Sequence, residues 1–274
     1  MTIPERLALF GHPVAQSLSP AMHNAALAAS GRTIRYETID VLPENFDAAL
    51  RDFVATGGAG NVTIPHKLHA FQCMDACTEP ANKSGAVNTF WRDDYNRICG
   101  HNTDVAGFTS MIAELLGDTP SNMRVAVLGS GGAAGAVLTA IAEWPGVTAT
   151  VHGRDLARAA VSRMRHSVVV RAASMRDPLI GEADIVVNAT PVGMSSDDLP
   201  VELDRVAPTA ILIDLVYGAN ETAWVRAARA RGHRAVDGLS MLLHQGVAAF
   251  ECWFGEEPDQ SAMKQALAEA AGRT

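Results

Sequence analysis

The stretch MRVAVLGSGGAAGA, residues 123–136, restricts what this chain can fold into more than any other. An apolar run ending at Leu128 meets a glycine turn, and a helix-forming segment follows as far as Trp144. Strand, glycine turn and helix in that order open a βαβ unit. The spacing fits G-x-G-x-x-A. Gly129 permits the tight turn, Gly131 lets a ligand approach the backbone, and Ala134 lets helix and strand pack closely. The first N–H groups of the helix have no partner inside it, so they favour an anion. A merely flexible turn does not need three glycines in that register. Gly129, Ser130, Gly131, Gly132 and Ala133 are therefore the candidate contacts to a dinucleotide.

The segments beyond this turn repeat the alternation. TATVHGR (148–154), VVVRAAS (168–174), ADIVVNATP (183–191), AILIDLVY (210–217) and HRAVDG (233–238) read as strands, with helices expected at 155–164 and 221–231. Continuous apolar strands alternating with helices indicate a parallel sheet of the Rossmann type. The second strand ends in His152-Gly153-Arg154-Asp155, with Arg158 one helical turn beyond Arg154. Arg154 and Arg158 suit the 2′-phosphate of NADP, whereas Asp155 opposes it or caps the helix. Two arginines against one acid favour NADP, with NAD as the alternative.

The first hundred residues alternate in the same way. RLALFG (6–11), RYETID (35–40), AGNVTI (59–64), GAVNTFWR (85–92) and RICGHN (97–102) read as strands, the last two joined by the turn DDYN. Ser19-Pro20 starts a helix that runs to about Ser30, serine serving as cap and proline as first helical residue. Further helices are expected over 43–57, from Pro65 onward, and from about Asp104 to Leu116. GDTPSNM (117–123) is a polar break between units. Two helices close the chain after Gly238.

Composition narrows the function. Hydrophobic residues make up 48% of 274, enough for a substantial core. The net charge of −8 argues against nucleic acid or an anionic membrane as main partner. No apolar run approaches the roughly 20 residues of a membrane span. The N-terminus has no long apolar core of a secretion signal, so a cytoplasmic protein is expected. Cys73, Cys77, Cys99 and Cys252 complete no zinc pattern and read as free thiols, with no metal site expected.

Lysine is usually solvated, yet Lys67 stands in NVTIPHK, where a strand runs into a proline turn that would hold it still. Ser17 and Ser19 lie two apart in a segment expected to be extended, so both hydroxyls face one side. With the following helix end they make a carboxylate site that needs no arginine.

Eight stretches, GHPVAQSLSPAMHN, NVTIPHK, GAVNT, GHNTDVAG, GSGGAAGA, NATPVGM, DLVYG and DGLSMLLHQ, occur in one order from residue 11 to residue 245. Together they resemble the shikimate dehydrogenase family. The resemblance implies an α/β chain of two domains with a cleft between them. Residues 1–105, completed by helices 238–274, would bind substrate, and residues 106–237 would form the Rossmann dinucleotide-binding domain. It implies reversible NADPH-dependent reduction of 3-dehydroshikimate to shikimate. Lys67 and Asp104 would be catalytic, and Ser17, Ser19, Asn61, Thr63, Asn88, Tyr217 and Gln245 would bind substrate. Thr190, Gly193, Met194 and Gly238 would join the glycine turn and the two arginines at the cofactor. Departures at Gln16, Ser84, Val105 and YGANET bear on substrate choice, and those at Gly153 and Asp155 bear on cofactor choice. The alternatives are an NAD-preferring quinate/shikimate dehydrogenase and a non-catalytic ligand sensor, and retention of both Lys67 and Asp104 argues against the sensor. Monomer and homodimer are both open.

Overall fold

The computed structural model describes residues 3–154 and 169–273. The helix expected over 155–164, with Asp155 and Arg158, lies outside the described residues. The chain divides into two compact units, one running to Gly107 and resuming at Leu242, the other spanning Phe108–Met241. Among the described residues, no helix is long and apolar enough to cross a membrane.

The first unit is built on strands β1 (Arg6–Gly11), β2 (Tyr36–Asp40), β3 (Gly58–Val62), β4 (Ala76–Cys77), β5 (Thr89–Arg92) and β6 (Ile98–His101). Its helices are α1 (Ser19–Ala29), α2 (Phe46–Ala55), α3 (Lys67–Cys73), α4 (Glu79–Ser84) and the start of α5 (Asp104–Leu116). The sheet order is β2-β1-β3-β5-β6-β4. β1 runs parallel to β2 and β3, whereas β5 is antiparallel to both β3 and β6. Phe10 meets Phe46, Phe53 and Phe90 edge-on at 5.4–6.2 Å, so one aromatic cluster pins α2 to β1 and β5.

Several boundaries differ from expectation, each for a local reason. The strand expected over 59–64 ends at Val62, because Thr63 N–H turns to Phe10 O and Ile64 O accepts from His12 N–H. The helix then begins at Lys67, two residues after Pro65. GAVN is not strand: Gly85 closes α4 in the left-handed conformation and Val87 N–H bonds Lys67 O. The segment before α1 is not extended either. Ser17 N–H closes a turn on Val14 O, and Leu18 is helical in conformation. Ser19 caps nothing with its side chain; instead Ser17 Oγ accepts from Ser19 N–H at 3.2 Å.

The second unit holds β7 (Arg124–Leu128), β8 (Thr148–Gly153), β9 (Val169–Ser174), β10 (Ile185–Asn188), β11 (Ile211–Asp214) and β12 (Ala235–Val236). All pairs are parallel, in the order β12-β11-β10-β7-β8-β9. Taken from β7 as strand one, this is the 3-2-1-4-5-6 order of a Rossmann sheet. Helix α6 (Gly132–Ile141) follows β7, and α7 (Ala223–Ala230) follows β11. Leu128, Val186, Leu212, Trp224 and Val225 belong to one buried cluster, which seats α7 on the sheet. The chain closes with α8 (Leu239–Phe254) and α9 (Gln260–Ala270).

Candidate active site

In the first unit, two helix starts bring a cation and an anion together. Lys67 opens α3 and Asp104 opens α5. Lys67 Nζ donates to Asp104 Oδ2 at 2.7 Å, with side chains 19% and 6% exposed. Asp104 does not spend its carboxylate on capping. Asn102 Oδ1 accepts the Asp104 N–H, and Asn102 Nδ2 is held by Ser84 Oγ at 2.8 Å. Ser84, a departure from the family pattern, thus acquires a structural task.

A buried amide network backs this pair. Asn88 Oδ1 accepts the Thr103 N–H at 2.8 Å, which turns Asn88 Nδ2 toward Asp104 Oδ1 at 2.9 Å. Gln245, on α8, lies 3.2 Å from the same Nδ2. Asn61 Nδ2 donates to Asn88 O and to Thr89 Oγ1, and Tyr36 Oη donates to Asn61 Oδ1 at 2.7 Å. Lys67, Asp104, Asn88, Gln245 and Asn61 therefore form one connected set. No hydrogen bond among the described residues joins Ser17, Ser19 or Thr63 to it. Tyr36, Thr89 and Asn102 were absent from the expected site. Thr89 and Asn102 lie within or beside GAVNT and GHNTD, whereas Tyr36 carries no motif signal.

Three histidines serve structure. His66 bonds Val41 O and stacks on Phe46, His101 bonds Thr78 Oγ1, and His152 bonds Ser174 O and Thr150 Oγ1. Burial lowers the pKa of all three. Burial likewise pushes the Cys73, Cys99 and Cys252 thiols up to about 11, which makes them poor nucleophiles. Among the described residues no cluster of three or more metal-ligating side chains occurs.

The second unit carries the glycine turn at the point where strand order reverses between β7 and β10, the usual place for a ligand on such a sheet. Gly129 has φ +110°, and a Cβ there would sit 2.8 Å from Ala189 O. Only glycine satisfies both demands. Gly131 caps α6, and a Cβ on it would meet nothing within 4 Å. Open space therefore lies over a helix start that has no acid in its first turn. Ser130, Gly132 and Ala133 are half-buried around it, and Arg154 is exposed just beyond β8. These features fit a dinucleotide with its pyrophosphate on α6.

Thr190 Oγ1 donates to Asn188 Oδ1 at 2.6 Å, which anchors the NATPVGM loop. Gly193, Met194 and Tyr217 line a cavity of about 390 Å³ in this unit. Tyr217, expected with the substrate groups, thus lies in the second unit. Gly238 has a packing reason of its own, since a Cβ would lie 2.3 Å from Leu215 O.

A Rossmann sheet with a dinucleotide turn, together with an α/β unit that buries a lysine–aspartate pair, defines a nicotinamide-dependent oxidoreductase. A model of the shikimate dehydrogenase substrate binding domain matches residues 9–90, and one of the shikimate 5'-dehydrogenase C-terminal domain matches residues 238–268. The shikimate dehydrogenase (NADP(+)) of Moorella thermoacetica is 40% identical over 278 residues, covering 97% of this chain and 93% of that protein. Shikimate 5-dehydrogenase of Thermus thermophilus, solved with NADP(H) and shikimate, superposes with TM-score 0.84 at 35% identity, covering 97% of this chain and 99% of that one. Quinate dehydrogenase of Corynebacterium glutamicum, solved with NAD, superposes with TM-score 0.85 at 32% identity, covering 97% and 99%. The chain belongs to the shikimate dehydrogenase family.

Proposed function

We propose that this chain catalyses the reversible NADP-linked reduction of 3-dehydroshikimate to shikimate. The observation that carries the reading is the Lys67–Asp104 pair at 2.7 Å, half-enclosed and backed by Asn88, in a chain of this family. NADPH bound at the Gly129–Ala133 turn supplies the hydride to the carbonyl carbon. As that carbon is reduced, its oxygen gains negative charge and needs a proton. The Lys67 ammonium donates it, and in the reverse direction takes it back. Asp104 holds Nζ in place and balances its charge, while Asn88 holds Asp104.

Ser17 and Ser19 bind the substrate carboxylate. Ser17 Oγ accepts from Ser19 N–H, so its own O–H stays available to donate. Asn61, Thr63, Asn88, Tyr217 and Gln245 meet the ring hydroxyls, amides being able to donate and accept together. Arg154 and Arg158 take the 2′-phosphate, and Thr190, Gly193, Met194 and Gly238 complete the cofactor site. Residues 1–105 with 238–274 serve the substrate, and 106–237 the nucleotide. Four free thiols suit a reducing cytoplasm, where we place the protein.

Initial rates with shikimate or quinate, each with NADP⁺ or NAD⁺, test the reading. The highest kcat/KM is expected for shikimate with NADP⁺. A preference for quinate or for NAD⁺ would overturn the substrate or cofactor assignment, and absence of turnover in all four would overturn the activity.

A further inference from the structure

We propose that Asp214 is a positioning residue that fixes the two loops lining the second unit's cavity, and through them the grip on NADPH. The inference rests on the NADP reading above. Asn188 and Asp214 are register partners at the carboxyl ends of β10 and β11. Asn188 Nδ2 donates to Asp214 Oδ1 at 2.8 Å. The same oxygen accepts the Val216 N–H at 3.1 Å, which holds the loop carrying Tyr217. Asp214 Oδ2 accepts the Thr222 hydroxyl at 2.7 Å, and Thr222 Oγ1 in turn accepts the Val225 N–H at the start of α7.

Asn188 carries the hold to the other loop. Its Oδ1 accepts the Thr190 N–H at 3.0 Å and the Thr190 hydroxyl at 2.6 Å. Its Nδ2 also donates to Val192 O at 3.1 Å, and Thr190 Oγ1 accepts the Val192 N–H at 3.2 Å. Both protons and the oxygen of the Asn188 amide are thereby committed. Gly193, Met194, Tyr217 and Gly218 follow directly on these anchored residues and line the cavity.

A carboxylate is a costly choice at this position. Asp214 is fully buried, and no cation forms an ion pair with it among the described residues. Burial pushes its carboxyl above the ordinary range, opposed by the three hydrogen bonds it accepts. An acceptor with two oxygens and no proton is what three convergent donors require, which accounts for an acid where an apolar residue would pack at lower cost.

The test is fluorescence titration of NADPH into the full-length wild type and into Asp214→Asn, Asn188→Ala and the double variant, at a temperature where circular dichroism shows all folded. Each single change is expected to raise the NADPH Kd about tenfold, since oriented contacts are lost when a loop shifts by a fraction of an ångström. The double variant is expected to be no worse than the worse single, as one clamp predicts. A folded Asp214→Asn chain with a Kd within twofold of wild type overturns the clamp. A wild type that binds no NADPH overturns the nucleotide reading itself, and the clamp with it. Should Asp214→Asn not fold, Thr222→Val and Thr222→Ser carry the test: serine is expected to restore the affinity that valine loses, and equal affinities overturn the proposal.

Discussion

Lys67 is tethered and yet reachable, with Nζ 2.7 Å from Asp104 Oδ2 and a side chain 19% exposed. A solvated helix lysine would be reachable but not tethered. Lys67→Ala is expected to lower kcat by roughly 10²–10⁴ with the NADPH Kd unchanged, the range for a lost general acid–base. Normal kcat in steady-state assays would remove Lys67 from the chemistry. Behind it, Thr89 tests the network. Asn61 Nδ2 donates to Thr89 Oγ1, and the Thr89 hydroxyl reaches Asn88 Oδ1 at 2.9 Å and Thr103 Oγ1 at 3.1 Å. Thr89→Val keeps the shape and strands that amide, at a cost of about 1–3 kcal/mol in urea unfolding, whereas Thr89→Ser should restore most of it. Equal losses in both variants would assign the effect to packing. Lys67, Asp104 and Asn88 were legible in the sequence because each stands in a recognisable motif. Tyr36 was not, since its hydroxyl reveals its role only through a partner 25 residues away, and Thr89, though inside GAVNT, meets Asn61 28 residues away. For Ser17 the extended backbone assumed from spacing proved to be a turn, so its hydroxyl has a backbone partner.

Helix α1 illustrates how elements pack through polar residues as well as apolar ones. His23, on α1, stacks on Tyr36 of β2 at 4.5 Å and lies 5.1 Å from Trp253 of α8. It is completely buried, and neither ring nitrogen has a partner among the described residues. Burial alone pushes its pKa from the ordinary 6.5 to about 3. The folded chain therefore keeps His23 neutral, while the unfolded chain protonates it below about pH 6.5. Stability is lost as pH falls through that value, and the loss is complete near pH 3. Between pH 7 and pH 4.5 the contribution is about 3 kcal/mol, at 1.36 kcal/mol per pH unit. His23→Phe keeps a stacking ring and should lose that much less than wild type over the same interval in urea titrations. Parallel pH profiles for the two proteins would show His23 to be solvated. The order of strands and helices was readable from period and punctuation, but several ends were not. Pro65 stands in a turn rather than in the helix it announces, and the two-residue β4 and six-residue α4 are too short to show a period.

At the scale of the whole molecule, the divisions of the chain fall inside α5 and α8, at Gly107 and Met241. A helix that runs on unbroken gives no cluster of turn residues at such a point, and the polar break at 117–123, read as a connection between units, lies within the second unit. The order of the β7–β12 sheet was by contrast implied by one turn, because a dinucleotide fingerprint after the first strand fixes where the order reverses. Each unit has its own sheet and its own buried cluster. Ligands that bind only the native state stabilise by RT ln(1 + [L]/Kd), about 2.7 kcal/mol at a hundredfold excess over Kd. If the glycine turn holds the nucleotide and the Lys67–Asp104 network holds the acid, the two ligands should act on different sets of amides. In hydrogen exchange, NADPH is expected to slow β7, α6 and β10 most, and shikimate to slow β3, β5 and the first turn of α5 most. Protection by NADPH concentrated on β3 and β5, with the Gly129 turn unaffected, would reverse the assignment of ligand to unit.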